Sequence, residues 1–267
     1  MAMSTWQPRR LSMSNRPALT RFKAAGIHLL ASGLVAAVAA TLVFWVWHPA
    51  PFAAMAGGTS LFVLLVSVDV ILGPALTAIV VSPGKRRTEL VRDLGVIIII
   101  QLAAFVYGLY AMALARPVVL AFEVDRLRLV TAADIDRATL HEAPVAFQSL
   151  SWAGPRMVAA IKPSDLDEQM RSIELGLSGI DLAMQPRQWR DYGAHADAAW
   201  KRARPATQLL AKYSQQAASL EAIARSAGRS PEALRFLPLI SRQVSWVSVI
   251  AEPGATVVGY LPVEGFF

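Results

Sequence analysis

Three long apolar runs in the first half of the chain constrain its fold most strongly. They span residues 24–47, 59–81 and 95–115. As helices rising ~1.5 Å per residue, each is long enough to cross a hydrocarbon core of ~30 Å. A cleaved signal peptide has a shorter apolar region, of about 7–15 residues, that ends in small residues. The first run instead ends in aromatic residues and Pro49, so the sequence predicts three retained transmembrane α-helices.

The charges that flank these runs predict their orientation. Before the first run there are basic residues and no acid, the loop 48–58 carries no charge, and the next loop contains Lys85, Arg86, Arg87 and Arg92. Basic residues mark the cytoplasmic side of a membrane. The N-terminus is therefore predicted to be cytoplasmic and everything after Arg116 extracytoplasmic, which in a bacterium with two membranes is the periplasm.

The same distribution explains the net charge of +7. A basic chain can bind nucleic acid, but most of the excess lies in the N-terminal tail and the second loop. We expect those residues to contact the head groups of inner-membrane lipid, and we expect no nucleic-acid partner.

Three segments follow from these patterns. Residues 1–22 are predicted to be a disordered basic cytoplasmic leader, with Met13 as an alternative start to Met1. Residues 23–115 form a three-span membrane unit, and residues 116–267 form a periplasmic domain. The predicted fold class is three transmembrane α-helices followed by an α+β extracytoplasmic domain with strands at both ends and helices between.

The strands of that domain are read from alternating apolar residues. Val118, Leu120 and Phe122 alternate, and the alternation changes phase at 125–126, which indicates a bulge or a tight turn. A short strand is predicted at 156–161. The C-terminal stretches around 245–252 and 255–261 form a hairpin signal, and we expect both ends of the domain to share one sheet.

The helices are read from apolar residues at steps of three and four. Ser164 is predicted to cap a helix with the apolar stripe Leu166, Met170, Ile173 and Leu177. Residues 186–227 are predicted to be helical with a break at Pro205. The stripe within 209–227 is either a site for a partner helix or part of the core.

No residue pattern indicates catalysis. The chain has no cysteine, and the nucleotide-binding, zinc-protease and serine-hydrolase motifs are absent from the sequence. We therefore predict no catalytic, cofactor-binding or metal-binding residues, and a protein that is not an enzyme.

The candidate site lies inside the membrane spans. Asp69 is the one acid within a span, and burying a carboxylate there costs ~2.5–3.5 kcal/mol on insertion scales. Gly73 and Pro74, one turn later, favour close helix approach and a kink. Counting twelve residues from the ends of the runs places Tyr107 at the level of Asp69, as a hydrogen-bond donor. The group is either a partner-docking site or a device that fixes helix packing.

A cluster of Trp and Pro, WVWHPAPF at 45–52, ends the first run. It is either an exposed recognition loop or an anchor at the membrane interface.

Several stretches together resemble one known family. They are RFKAAGIHLL, HPAPF, VDVILGPALTAIV and the C-terminal LPLISRQVSWVSVIAEPGATVVGYLPVEGFF, and the similarity runs from about Arg21 to the end. In order and spacing they resemble the TfpX/TfpZ family of type IV pilin accessory proteins. The resemblance implies an inner-membrane protein that supports assembly of the cognate major pilin into type IV pili, with the pilin and the pilus assembly machinery as partners.

Two other classes of function remain open. A pilin-modifying membrane enzyme, such as a glycosyltransferase, needs acidic catalytic residues in outward loops and more spans. A membrane-anchored periplasmic sensor needs a cytoplasmic output domain, whereas only a tail and a short loop are predicted to face inward.

Overall fold

The structure, a computed structural model, describes residues 16–82, 85–242 and 245–267. The chain divides into two compact units. Among the described residues, the first unit consists of 16–38, 64–82 and 85–107, and we call it the membrane unit. The second consists of 39–63, 108–242 and 245–267, and we call it the α/β unit.

The N-terminal half is helical. Its helices are α1 (Arg16–Thr41), continued by a π-helical turn (Leu42–Trp47), then α2 (Phe52–Met55), α3 (Gly58–Ser67), a second π-helical turn (Val68–Leu72), α4 (Gly73–Val80) and α5 (Arg87–Ala115). Among the described residues, three helical stretches are long and apolar enough to cross a membrane: Arg21–Trp47, Gly58–Val80 and Arg87–Ala115. This confirms the three long apolar helices.

The boundaries of these helices differ from the sequence prediction at two places. Helix α1 begins at Arg16, so the last part of the predicted leader 1–22 is helical, and residues 1–15 lie outside the described residues. Helix α5 begins at Arg87, eight residues before the apolar run at Gly95, because its first two turns are polar but still helical. It ends before Pro117, as a proline requires, and Arg116 donates hydrogen bonds to the carbonyls of Ala113 and Ser151.

The α/β unit contains a mixed sheet that curls into a half-barrel. Its strands are β1 (Pro117–Glu123), β2 (Arg126–Thr131), β3 (Arg156–Ala160), β4 (Trp189–Asp191), β5 (Arg204–Pro205), β6 (Arg235–Ile240), β7 (Trp246–Ala251) and β8 (Thr256–Leu261). The order is β4-β3-β1-β2-β6-β7-β8, with β5 beside β6. The pairs β1–β3 and β2–β6 are parallel and the other pairs are antiparallel.

Three sequence predictions about this sheet are confirmed. The phase change near 125 is a tight turn between β1 and β2, where Val124 takes a φ of 58°. The C-terminal hairpin is β7 and β8, and its turn contains Gly254 with a φ of 77°. Both ends of the unit share the sheet, and they join through the parallel pair β2–β6.

The segment 186–227 is less helical than predicted. Helices α7 (Ala196–Arg202), α8 (Gln208–Lys212) and α9 (Ala217–Ser226) occupy part of it, but strands β4 and β5 interrupt it. Strand β4 pairs with β3, and the buried indole of Trp189 donates to the carbonyl of Ala183. Tertiary pairing therefore overrides local helix propensity here.

The remaining helix of the unit is α6 (Leu166–Leu177). Its N-cap is Asp165 and not Ser164: the Asp165 carboxylate accepts from the backbone N–H of Asp167 and of Glu168, each at 3.1 Å. A cap residue has extended backbone and a side chain that reaches the second or third N–H, and Asp165 satisfies both conditions.

The loop after the first span belongs to the core of the α/β unit. Met55 is fully buried in the same cluster as Leu120 and Phe122 of β1, and the ring of Phe52 contacts that of Tyr260 with 5.4 Å between centroids. The Gly154 N–H donates to the carbonyl of Val46 at 3.2 Å. Most of the Trp/Pro cluster is therefore not an exposed recognition loop, although Trp45 is exposed.

The stripe within 209–227 is part of the core. Leu209, Leu220 and Ala224 are buried with Phe236 of β6 and Val249 of β7. Of the two interpretations left open by the sequence, the structure supports the core.

Candidate functional site

A partly open cavity of about 520 Å³ lies between the three helical stretches of the membrane unit. Its walls are mostly apolar. The polar side chains that line it come from all three stretches: His28, Ser32, Asp69, Thr77 and Gln101. Polar groups in a membrane span normally face the interior of the helix bundle, so this cavity is the candidate functional site.

Side-chain hydrogen bonds tie α1 to the second span. Nδ1 of His28 and Oγ1 of Thr77 lie 2.6 Å apart and share a hydrogen bond. Nη2 of Arg21 donates to Oγ of Ser82, also at 2.6 Å. Thr77 is buried, so its hydroxyl needs a partner within the protein.

The second span changes its helical geometry beside the cavity. Residues Val68–Leu72 form a π-helical turn, a geometry in which a carbonyl accepts a hydrogen bond from the N–H five residues later. For the carbonyl of Asp69 that residue is Pro74, which has no N–H to donate. The side-chain amide of Gln101 on α5 donates a long hydrogen bond, of 3.5 Å, to the Asp69 carbonyl.

Gly73 gives Gln101 the room to reach that carbonyl. A Cβ atom at position 73 would collide with the amide of Gln101. Gly73 and Pro74 are both buried. The two residues therefore act together: Pro74 has no N–H to offer the Asp69 carbonyl, and Gly73 leaves room for the Gln101 amide that donates to it.

Two polar atoms at the cavity are left without a partner. Oδ1 of Asp69 and Oε1 of Gln101 are buried and have no hydrogen-bond partner among the described residues. An unsatisfied buried polar atom costs free energy, and in lipid no water replaces the missing partner. Both atoms accept hydrogen bonds, so a partner with a donor group would be stabilised there.

The predicted site residues are only partly brought together. Asp69, Gly73 and Pro74 lie in one region, but the side chain of Tyr107 is 74% exposed and makes no hydrogen bond to Asp69. The reason is the start of α5. Counting twelve residues from Arg87 instead of Gly95 gives position 99, close to Gln101.

Sequence reasoning missed Gln101 and His28. For Gln101 a signal existed, since it is the one amide in the apolar run IIIIQLAAF. His28 gave no such signal, because single polar residues near the ends of spans are common.

The α/β unit carries one buried titratable ring of interest. His48 is fully buried, and neither ring nitrogen has a side-chain hydrogen-bond partner among the described residues. Burial lowers the pKa of His48; the backbone of Ala115 and of Val43 acts against this lowering, and the positive charge of Arg116 adds a smaller lowering. Burial therefore disfavours the charged form of this imidazole. Within the described ranges, no three His, Cys, Asp or Glu side chains are grouped so as to hold a metal ion.

Comparison with known proteins finds one family. The family described as fimbrial assembly protein FimB matches residues 16–57. The fimbrial assembly protein of serogroup I from Dichelobacter nodosus is 34% identical over 256 residues, which cover 95% of this chain and 99% of that protein. The serogroup E1 protein of the same organism is 33% identical over the same shares of both chains. No solved structure matches the chain.

Proposed function

This chain belongs to the FimB family of fimbrial assembly proteins, and we propose that it is a non-enzymatic inner-membrane accessory factor of type IV pili. A role in fimbria or pilus assembly follows from the family. The finer statement, that it supports assembly of the cognate major pilin in the manner of the TfpX/TfpZ proteins, is our proposal.

One observation carries this proposal. The similarity to the D. nodosus proteins covers nearly the whole of both chains, so it includes the three spans and the α/β unit together. A likeness confined to the apolar helices would carry little weight, because apolar spans resemble one another by composition alone.

The cavity suggests how such a factor binds. We propose that it receives side chains from the membrane-spanning helix of the major pilin. Apolar walls suit such a helix, and Oδ1 of Asp69 and Oε1 of Gln101 would accept hydrogen bonds from it. Contacts between helices in lipid rely on close packing and on such polar groups, since the lipid is as apolar as the helices.

Orientation in the membrane is part of the proposal. The basic tail and the basic second loop favour a cytoplasmic N-terminus and a periplasmic C-terminal domain. A reporter that is active only outside the cytoplasm should be active when fused after Phe267 and silent when fused at Arg87. The opposite pattern would refute the orientation.

The alternatives have less support. A glycosyltransferase needs acidic groups in outward loops, but the first loop is uncharged and much of it is packed in the α/β core. Equal pilin masses with and without this protein would argue against a modifying enzyme, and a mass difference would argue for one. A sensor needs an output domain, and the loop between the second and third helical stretches is too short to be one.

The test of the proposal starts from a deletion strain, which should carry few or no pili by electron microscopy while pilin is still made. Wild type should restore pili. Asp69→Asn should do so as well at unchanged abundance, because the amide keeps an acceptor and intramembrane hydrogen bonds average only ~0.6 kcal/mol.

Asp69→Leu removes the acceptor and should reduce piliation at unchanged abundance. Ile71→Leu, two residues away on an exposed side chain, is the matched control and should leave piliation normal. Normal piliation in the deletion strain would overturn the proposed function, and normal piliation with Asp69→Leu would overturn the role of the cavity.

A further inference from the structure

Helix α6 exposes its apolar face. Leu166, Met170, Ile173 and Leu177 form one stripe at helical spacing, and they are 75%, 67%, 58% and 86% exposed. An amphipathic helix in a folded domain normally turns this stripe toward the core. Here no residue of the helix is buried. We refer to these four side chains as the α6 stripe.

The opposite face of α6 is attached to the domain by polar contacts. Oγ of Ser172 donates to Oε1 of the buried Gln185 at 2.9 Å, and Nε2 of Gln169 donates to the carbonyl of Pro163 at 2.9 Å. Nη1 of Arg187 lies 3.0 Å from a carboxylate oxygen of Glu168. The orientation of the helix is thus fixed by specific bonds, which hold the α6 stripe outward.

One edge of the α6 stripe is acidic. Asp167 and Glu174 are seven residues apart, so they lie two turns apart on the same side of the helix. Both are exposed, and neither forms an ion pair among the described residues. Arg171 lies between them on the same side and is also exposed. A ligand of this face would therefore meet an apolar strip bordered along one side by two negative charges and one positive charge, with a net negative charge.

We propose that the α6 stripe is a docking surface for a segment of the major pilin outside the membrane that presents apolar side chains bordered by Lys or Arg. The charge of the edge selects this chemistry, because opposite charges at an interface guide encounter and fix register. The identity of the partner rests on the proposed function, whereas the chemistry of the surface does not.

Two other occupants fit the surface less well. Helices that lie on a membrane surface are typically rich in Lys and Arg on the polar face, whereas the free edge of α6 carries two acids and one Arg and is net negative. A second copy of this chain would bring the same two carboxylates, and an antiparallel pair of α6 helices would place them side by side. Like charges in that position are unfavourable.

The test places a photo-activated crosslinking amino acid at Ile173 in the full-length protein, in cells that make the pilin. Irradiation should give an adduct with pilin, identified by mass. The matched control is Val145, an isolated exposed apolar residue outside α6, where the adduct should be at least about tenfold weaker. An adduct with a second copy, with lipid alone, or none at all would overturn the proposal.

Charge reversal tests the acidic edge separately. Asp167→Lys with Glu174→Lys should reduce the Ile173 adduct with pilin by about tenfold or more, with abundance unchanged. The control pair, Asp197→Lys with Glu221→Lys, makes the same change of charge on exposed residues of α7 and α9 and should leave the adduct unchanged. Equal adducts in both pairs would refute the role of the edge. If the deletion strain lacks pili but Ile173 captures no pilin, the proposed function survives and this surface assignment fails.

Discussion

The membrane unit and the α/β unit place their large apolar side chains differently. In the membrane unit most of them are exposed, including Ile71, Ile99 and Leu102, as suits contact with lipid. In the α/β unit strand β1 is buried on both faces, with Leu120 and Phe122 in one cluster and neighbouring residues in another. The stability of the α/β unit therefore comes from apolar burial.

Polar side chains of the membrane unit, by contrast, line its interior. The side-chain bonds of the membrane unit join its helices at a few points, such as His28 to Thr77, and leave two acceptors at the cavity unsatisfied. With no apolar driving force between helices in lipid, these few contacts and close packing decide how the helices fit. The same kind of substitution should therefore change the free energy of unfolding by different amounts in the two units.

Truncating an apolar side chain should give the largest difference between the two units in the free energy of unfolding. Leu237→Ala, at a fully buried position of β6, should lower the free energy of unfolding by about 2–5 kcal/mol. Ile99→Ala, on a side chain exposed in the membrane unit, should change it by less than about 0.5 kcal/mol. Urea unfolding of the full chain in detergent micelles measures both. Equal losses would contradict the comparison.

Replacing Gly73 with alanine tests the close contact between the second span and Gln101 of α5. Gly73→Ala should cost about 1 kcal/mol or less, because its Cβ must displace the Gln101 amide, which is the flexible end of that side chain and makes only a long hydrogen bond. Gly95→Ala is the control, since a Cβ there meets no atom within 4 Å. The double variant Gly73→Ala/Gln101→Ala should lose less stability than the sum of the single variants, and simple additivity would exclude the contact.

Acid should weaken the α/β unit through His48, with the smallest effect of the three. Its pKa is lowered by burial, so the unfolded chain, with a pKa of about 6.5, binds the proton more readily than the folded one. Stability is therefore full above about pH 6.5 and is lost as the pH falls through the lower, folded pKa. The melting temperature should fall between about pH 7.5 and about pH 5.5, and by less in His48→Gln. An identical fall in both proteins would assign the pH dependence to other groups.

Much of this fold was predictable because it follows from local patterns. Apolar runs and their flanks gave the three helices, and alternation gave β1, β3 and the C-terminal hairpin. Strand β6 was missed because Pro238 stands within it, and a proline usually argues against an inner strand. Here Pro238 lies opposite Val247, and its neighbours complete the ladder with β7.

The candidate site was predictable only in part. Asp69, Gly73 and Pro74 could be recognised because such residues are unusual within an apolar span. Their partner Gln101 depends on where α5 begins, and that start lies in a polar segment that periodicity does not mark. The outward direction of the α6 stripe was likewise hidden, since the same spacing ordinarily indicates a buried face.

The packing of the first loop bears on the order in which the protein is made. Met55 and Phe52 leave the ribosome well before Tyr260, which contacts Phe52. The α/β unit therefore cannot complete its core until strand β8 has been synthesised. Until then Phe52 and Met55 lack part of their packing partners. A fragment beginning at residue 117 would lack these two side chains in its core.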